Sequence, residues 1–255
     1  MKKISRNKIY ISHRVQNRFC AFFSKNGGSS KGIFNSLNCS LNNIDNKKNV
    51  LTNRELVCKI FNFSKKNLIL LNQTHSNKVV IINKRNVNKL YNADGMITNN
   101  PDVLLGVLTA DCAPIAFLGK EFIGIIHAGW KGLVNGIIEN TINLFEKNNE
   151  KVENLNCFIG PHLSSKYFEV KNDFISCLYK FNKENIKFIE KNKNKNYFNY
   201  SGYITSILKS FNIKYIHSNF DTYSNPSLFF SYRFSKQKNK ECGRQISVVG
   251  IKIRQ

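Results

Sequence analysis

The chain has only five histidines, and its seven cysteines include no Cys-x-x-Cys pair. A closed structural zinc site usually draws on paired ligands at short spacing, so that class is disfavoured. No apolar run approaches the ~20 residues that a bilayer-spanning helix needs. The N-terminal stretch Met1 to Lys8 is basic, but no unbroken apolar segment or small-residue cleavage site follows it, which argues against a secretory signal. The odd cysteine count, at positions 20, 39, 58, 112, 157, 177 and 242, then points to reduced thiols and a cytoplasmic protein. Acidic residues are scarce, 16 against 39 Lys and Arg, giving a net charge of +23. That excess is spread along the chain together with abundant Asn and Ile, the pattern of an A/T-biased coding sequence. No RRM, KH or helix-turn-helix signature accompanies it, so a nucleic-acid partner is disfavoured, although the positive field would attract phosphate. There is no internal repeat and no heptad pattern.

What is present is a set of apolar runs that end in chemically useful residues. His75 lies in Gln73-Thr74-His75-Ser76, Cys112 in Thr109-Ala110-Asp111-Cys112, and His127 in His127-Ala128-Gly129-Trp130. Two imidazoles and a thiolate suit zinc with a fourth position open to water or substrate, the catalytic pattern. Strands are expected at 18–23, 68–71, 78–82, 102–108, 115–118, 122–126, around 158–160, at 215–217 and at 245–253. Helices are expected at 45–61 with Asp45 as N-cap, 133–145, 173–179 and 201–211. Residues 181–199 read as a mobile Lys/Asn-rich excursion with a short strand of its own, and 236–241 as a charged loop. Strands and helices mix without steady βαβ alternation, so the class is α+β with a mixed sheet. One large domain, 1–255, is the preferred division.

Beyond these runs, ordered motifs from about Phe19 to Ile251 resemble the YfiH-like, laccase-domain family. They are Phe23-Ser24 with Gly27-Gly28-Ser29, Ser36-Leu37-Asn38, Asn53-Arg54, Gln73 to Ser76, Ala93-Asp94-Gly95, Thr109 to Pro114, His127 to Gly132, Ile159-Gly160-Pro161, Phe229 to Arg233, and Gly243-Arg244-Gln245. This family was first described as multicopper polyphenol oxidoreductases and later as purine nucleoside phosphorylases. The resemblance implies an α/β/β/α layered fold and a metal site, usually zinc, from His75, Cys112 and His127. It implies phosphorolysis of purine nucleosides, including methylthioadenosine, and hydrolytic deamination of adenosine. The implied partners are nucleosides and inorganic phosphate, and we expect a monomer or weak homodimer. A cell-wall editing hydrolase using Cys112 and a histidine is the competing family role. Copper is less favoured than zinc, because five histidines cannot furnish both a blue site and a trinuclear cluster. Lys131 and Lys25 stand where the family commonly has Arg, and His162 where many members have a small residue.

Each candidate has a plainer alternative. His75 and His127 could be ordinary buried histidines, and Cys112 an inert buried thiol or a nucleophile paired with histidine. Asp111 could act as general base, orient a ligand or cap a turn, and orientation is preferred. Asp94 reads equally as a turn residue and as a catalytic one. Arg233 and Arg244 are expected to hold the phosphate dianion, with Lys131 as a point charge. Trp130 could stack on a purine or simply pack in the core.

Overall fold

In the computed structural model, residues 9–252 are described. The basic stretch 1–8, and residue 253 at the end of the last expected strand, lie outside the described residues. One sheet runs edge to edge through β1 (Tyr10–Val15), β2 (Arg18–Phe23), β14 (Gln245–Ile251), β6 (Leu104–Thr109) and β3 (Leu68–Leu70). A second runs through β13 (Lys214–His217), β9 (Asn156–Ile159), β7 (Ala113–Leu118), β8 (Ile123–Ala128), β5 (Gly95–Thr98) and β4 (Val79–Ile81). Both are mixed: β3–β6, β4–β5 and β13–β9 are parallel pairs and the remainder antiparallel.

Side-chain parity turns these sheets into layers. Along β2, Cys20 and Phe22 join the core shared with Ala116 and Leu118 of β7, whereas Phe19, Ala21 and Phe23 face Val57 and Phe61. Those last two belong to or end helix α1 (Lys47–Ile60), which covers the outer face of the first sheet. On β7, Ala113, Ile115 and Phe117 instead face Ile138, Ile142 and Ile204. The helix order is completed by α2 (Trp130–Val134), α3 (Ile137–Lys147), α4 (Asn172–Phe181), α5 (Tyr200–Ser210) and α6 (Tyr232–Gln237). The result is helix, sheet, sheet, helix, as the resemblance implied. Each fully buried Phe or Ile in these three cores contributes about 1.5–3 kcal/mol.

Several local expectations are revised. Asn46, not Asp45, caps α1: its side chain accepts from the Lys48 N–H at 2.9 Å. The helix expected over 133–145 is two helices, because Gly136 adopts φ +86° and breaks the hydrogen-bond ladder between α2 and α3. The excursion at 181–199 is anchored. A 3-10 turn leads into β11 (Ile189–Asn192) and β12 (Lys195–Phe198), which pair with β10 (Glu169–Val170). Lys193 and Asn194 both have positive φ, the geometry of a two-residue hairpin turn, and Phe198 is fully buried. Part of the expected charged loop, Lys236 and Gln237, is the end of α6.

Candidate metal centre and active-site cleft

Strand pairing brings two of the three candidate ligands together. In the antiparallel β7–β8 register, Ala113 lies opposite Ala128 and Pro114 opposite His127. Cys112 therefore enters β7 beside the point where β8 leaves with His127. The third, His75, comes from the turn between β3 and β4. The ligating atoms of His75, Cys112 and His127 all lie within 4.8 Å of one another. Cys112 Sγ is 4.0 Å from His75 Nε2, and the two imidazoles meet edge to face with centroids 4.8 Å apart.

A single buried carboxylate organises this cluster. Asp94 is fully buried and accepts backbone N–H bonds from Thr74, His75 and Ser76 at 3.1, 3.0 and 2.6 Å. It also accepts from the Ser76 hydroxyl at 2.8 Å. Its Oδ1 lies 2.8 Å from His127 Nδ1. Asp94 thus fixes the turn that carries His75 and orients the ring of His127, leaving His127 Nε2 to face the cluster. A carboxylate behind a ligating histidine is the usual outer support of such a site. Burial alone would raise the Asp94 pKa, but the bonds from His127 and Ser76 outweigh it and hold the carboxyl down at about 2.

The cluster is electrostatically matched within itself. Burial would raise the Cys112 thiol, yet the adjoining His127 and His75 pull it down to about 6. Burial would lower His127, yet the Cys112 sulfur and Asp94 carry it up to about 9. The thiolate, the form that ligates metals, is therefore favoured at neutral pH. Two imidazoles and one thiolate, with a carboxylate behind one ring, fit a zinc ion in donor type and number. Two glycines let the backbone pack closely against the cluster. A Cβ on Gly129 would come within 2.6 Å of the His75 ring and 3.5 Å of Cys112 Sγ, and one on Gly132 within 2.3 Å of the Ser76 carbonyl. His75 and Asp111 hold positive φ, +58° and +90°. For non-glycine residues such backbone strain gathers at functional sites.

Tyr200 closes the floor. Its buried hydroxyl accepts the Ala113 N–H at 3.0 Å and donates to the Ala128 carbonyl, joining the strand ends beneath Cys112 and His127. Tyr200→Phe strands a buried donor and acceptor together, a loss of about 1–3 kcal/mol. We expect a lower Tm, and weaker metal retention in a chelator competition, with little change in far-UV circular dichroism.

The cluster opens into a cleft of about 770 Å³, lined among others by Gln73, Trp130, Lys131, Phe168, Arg233 and Arg244. All four residues expected to bind substrate therefore face it. The two arginines already have structural partners. Arg233 donates to the carbonyls of Tyr167 and Glu169 at 3.0 and 3.3 Å and lies over Phe168. Arg244 donates through Nη1 to the Cys242 and Gly243 carbonyls. Each uses two of its five donors this way, so N–H groups remain in both. Trp130 packs against Phe174 with centroids 4.6 Å apart, and the Lys131 ammonium sits 5.7 Å from the Trp130 ring centre. Gln73 pairs with both the N–H and the carbonyl of Leu108 at 2.8 Å, pinning the wall.

Asp111 lines the same cleft, but its carboxylate is engaged by the Thr222 hydroxyl and the Arg233 N–H, both at 2.6 Å. Burial raises its pKa. That environment suits holding α6 against the site rather than taking protons from a substrate. His162 faces a different cavity. Several motif residues are scaffolding: Asn53 ties Ser29, Ser30, Ser36 and Asn38 together, and the Asn38 side chain accepts from the Arg244 N–H at 2.9 Å. Sequence reasoning left Asp94 undecided and overlooked Tyr200. The Ala93-Asp94-Gly95 motif signalled the first, and nothing local signalled the second.

Comparisons with known proteins place the chain in a family and match its fold. The family model described as "Multi-copper polyphenol oxidoreductase laccase" matches residues 19–252. The purine nucleoside phosphorylase YlmD of Bacillus subtilis is 30% identical over 253 residues, covering 91% of this chain and 87% of that protein. A Haemophilus influenzae protein named purine nucleoside phosphorylase is 32% identical over 235 residues, covering 89% and 91%. Among solved structures, the hypothetical protein YfiH of Bacillus licheniformis superposes with a TM-score of 0.85 at 26% identity, covering 93% of this chain and 94% of that one. A Neisseria meningitidis protein of the DUF152 family gives 0.83 at 27% identity, covering 96% and 100%.

Proposed function

We propose that this chain, which belongs to the multi-copper polyphenol oxidoreductase laccase family, is a zinc-dependent purine nucleoside phosphorylase. The observation that carries the reading is one thiolate and two imidazoles, within 4.8 Å of each other, in a cleft lined by cations and aromatic rings. His75, Cys112 and His127 would hold the ion, which when bound supplies Lewis acidity at the cleft floor. A volume of about 770 Å³ lies within the range of small-molecule sites and accommodates a nucleoside together with phosphate. The remaining guanidinium N–H groups of Arg233 and Arg244, with Lys131, would hold the phosphate dianion beside C1′ of the ribose. Phosphate oxygen then bonds to C1′ as the bond to the purine nitrogen breaks, and that nitrogen takes up the proton that hydrogen phosphate gives up. Trp130 and Phe168 offer ring faces for the base. Asp94, Asp111 and Tyr200 act as positioning residues. The seven cysteines are all unpaired, which supports a reducing, cytoplasmic setting.

The open ligand position also supports hydrolytic deamination of adenosine at the same site, and methylthioadenosine is a further expected phosphorolysis substrate. Product analysis with adenosine tests the scheme. Adenine with ribose 1-phosphate should form only when phosphate is added, and inosine should form with or without it. Turnover of muropeptide precursors with none of adenosine would transfer the site to cell-wall editing. Phenol oxidation by copper-loaded protein would favour the oxidase. Among the described residues, however, a single three-ligand cluster of His, Cys and acidic side chains is found, fewer than multicopper chemistry needs.

A further inference from the structure

On the far side of Tyr200, helix α5 and the β9 and β13 ends enclose a second cleft of about 420 Å³, separate from the metal centre. His162, Ser164, Ser201, Thr205, His217 and Asn219 are among its lining residues. We propose that Ser201 and His162 form a second, metal-independent nucleophilic site that takes small uncharged or cationic carboxylic esters as acyl donors.

The hydrogen bonds fix the roles. His162 Nδ1 lies 2.8 Å from the Gly160 carbonyl, which only accepts, so Nδ1 carries the proton. His162 Nε2 is then a bare lone pair, 2.9 Å from Ser201 Oγ, and the serine hydroxyl donates to it. Burial keeps this ring neutral, with its pKa down at about 4. The ring is buried and locked: the His162 N–H donates to the Phe220 carbonyl, and its carbonyl accepts from Thr222. This is the nucleophile, base and orienting group of a serine hydrolase, with a backbone carbonyl in the third place. A complementary histidine stands next to it. His217 Nδ1 accepts the Asn219 N–H at 2.8 Å, so the neutral ring bears its proton on Nε2. Among the described residues that buried Nε2 has no partner, and the ring centre is 4.9 Å from that of His162.

The substrate class follows from the lining. In a chain of net charge +23, no Lys or Arg among the described residues borders this cleft, and the one acid among them, Asp221, is engaged by the Ser164 and Ser224 N–H groups. Anionic substrates therefore find no counter-charge here. In the reaction, Ser201 Oγ bonds to the acyl carbon as its proton passes to His162 Nε2. The ester C–O bond breaks, and the leaving alcohol takes that proton. Water, deprotonated by the same nitrogen, then releases the acid and restores Ser201. The depressed basicity of His162 makes this turnover slow, so acyl trapping is the sensitive readout.

The test is labelling of the full chain with an uncharged fluorophosphonate, followed by peptide mapping. One adduct per chain is expected on Ser201. Ser201→Ala should lose it. Absence of any adduct on wild type, or an adduct that persists in Ser201→Ala, would overturn the proposal. The mapped site on wild type decides the matter even if the variant folds poorly.

Discussion

Cys112→Ala is expected to take adenosine phosphorolysis and deamination below detection, a loss of at least about three orders of magnitude, or about 4 kcal/mol of transition-state stabilisation. The expectation rests on chemistry rather than on stability. Cys112 is the only sulfur in the cluster and sits within reach of both histidines. Removing it leaves two imidazoles that cannot keep an ion with comparable affinity. The side chain is half-buried at the cleft floor, so Ala should leave Tm within a few degrees of the metal-stripped wild type. Residual turnover within ten-fold of wild type would show that the reaction does not depend on the cluster.

Asp94→Asn is the second large effect, and it acts through position. The amide keeps one acceptor oxygen where the carboxylate has two, and its NH2 would confront the N–H groups of Thr74 and Ser76. The His75 turn and the His127 ring both lose their reference. Metal affinity should fall about 10–100-fold. Stability should fall too, and the pH dependence gives its sign. The folded pKa of Asp94 is depressed from 3.8 to about 2. Its contribution is therefore fully present above about pH 4 and is lost as pH falls through 2. That drop corresponds to about 2 kcal/mol. In acid titrations followed by circular dichroism, wild type should lose stability across this window, whereas the Asn variant starts lower and lacks this component. Equal metal affinity in the two proteins would remove Asp94 from the positioning role.

Much of this was legible in the sequence because strand periodicity and motif position agree. Cys112 and His127 end or begin apolar runs that pair antiparallel, so proximity in the fold follows once β7 and β8 are adjacent. The layer order was legible only through the resemblance, since a run such as Arg18–Phe23 is apolar on both faces and its parity does not say which face meets which layer. Three features resisted. Tyr200 is 72 residues from Ala128, and no local pattern announces so distant a bond. Asp94 read equally as a turn residue and a catalytic one because its local sequence shows only the bend before β5, whereas its three backbone acceptor bonds go to the distant turn at Thr74, His75 and Ser76. The Gly136 break was hidden because Leu133, Ile137 and Ile138 keep helical spacing across it while the backbone does not.

X-ray absorption at the zinc edge of the loaded protein addresses the metal assignment most directly. We predict one ion per chain with a single sulfur neighbour at about 2.3 Å and two imidazole nitrogens at about 2.0–2.1 Å. A first shell without sulfur, or one unchanged by Cys112→Ala, would contradict it.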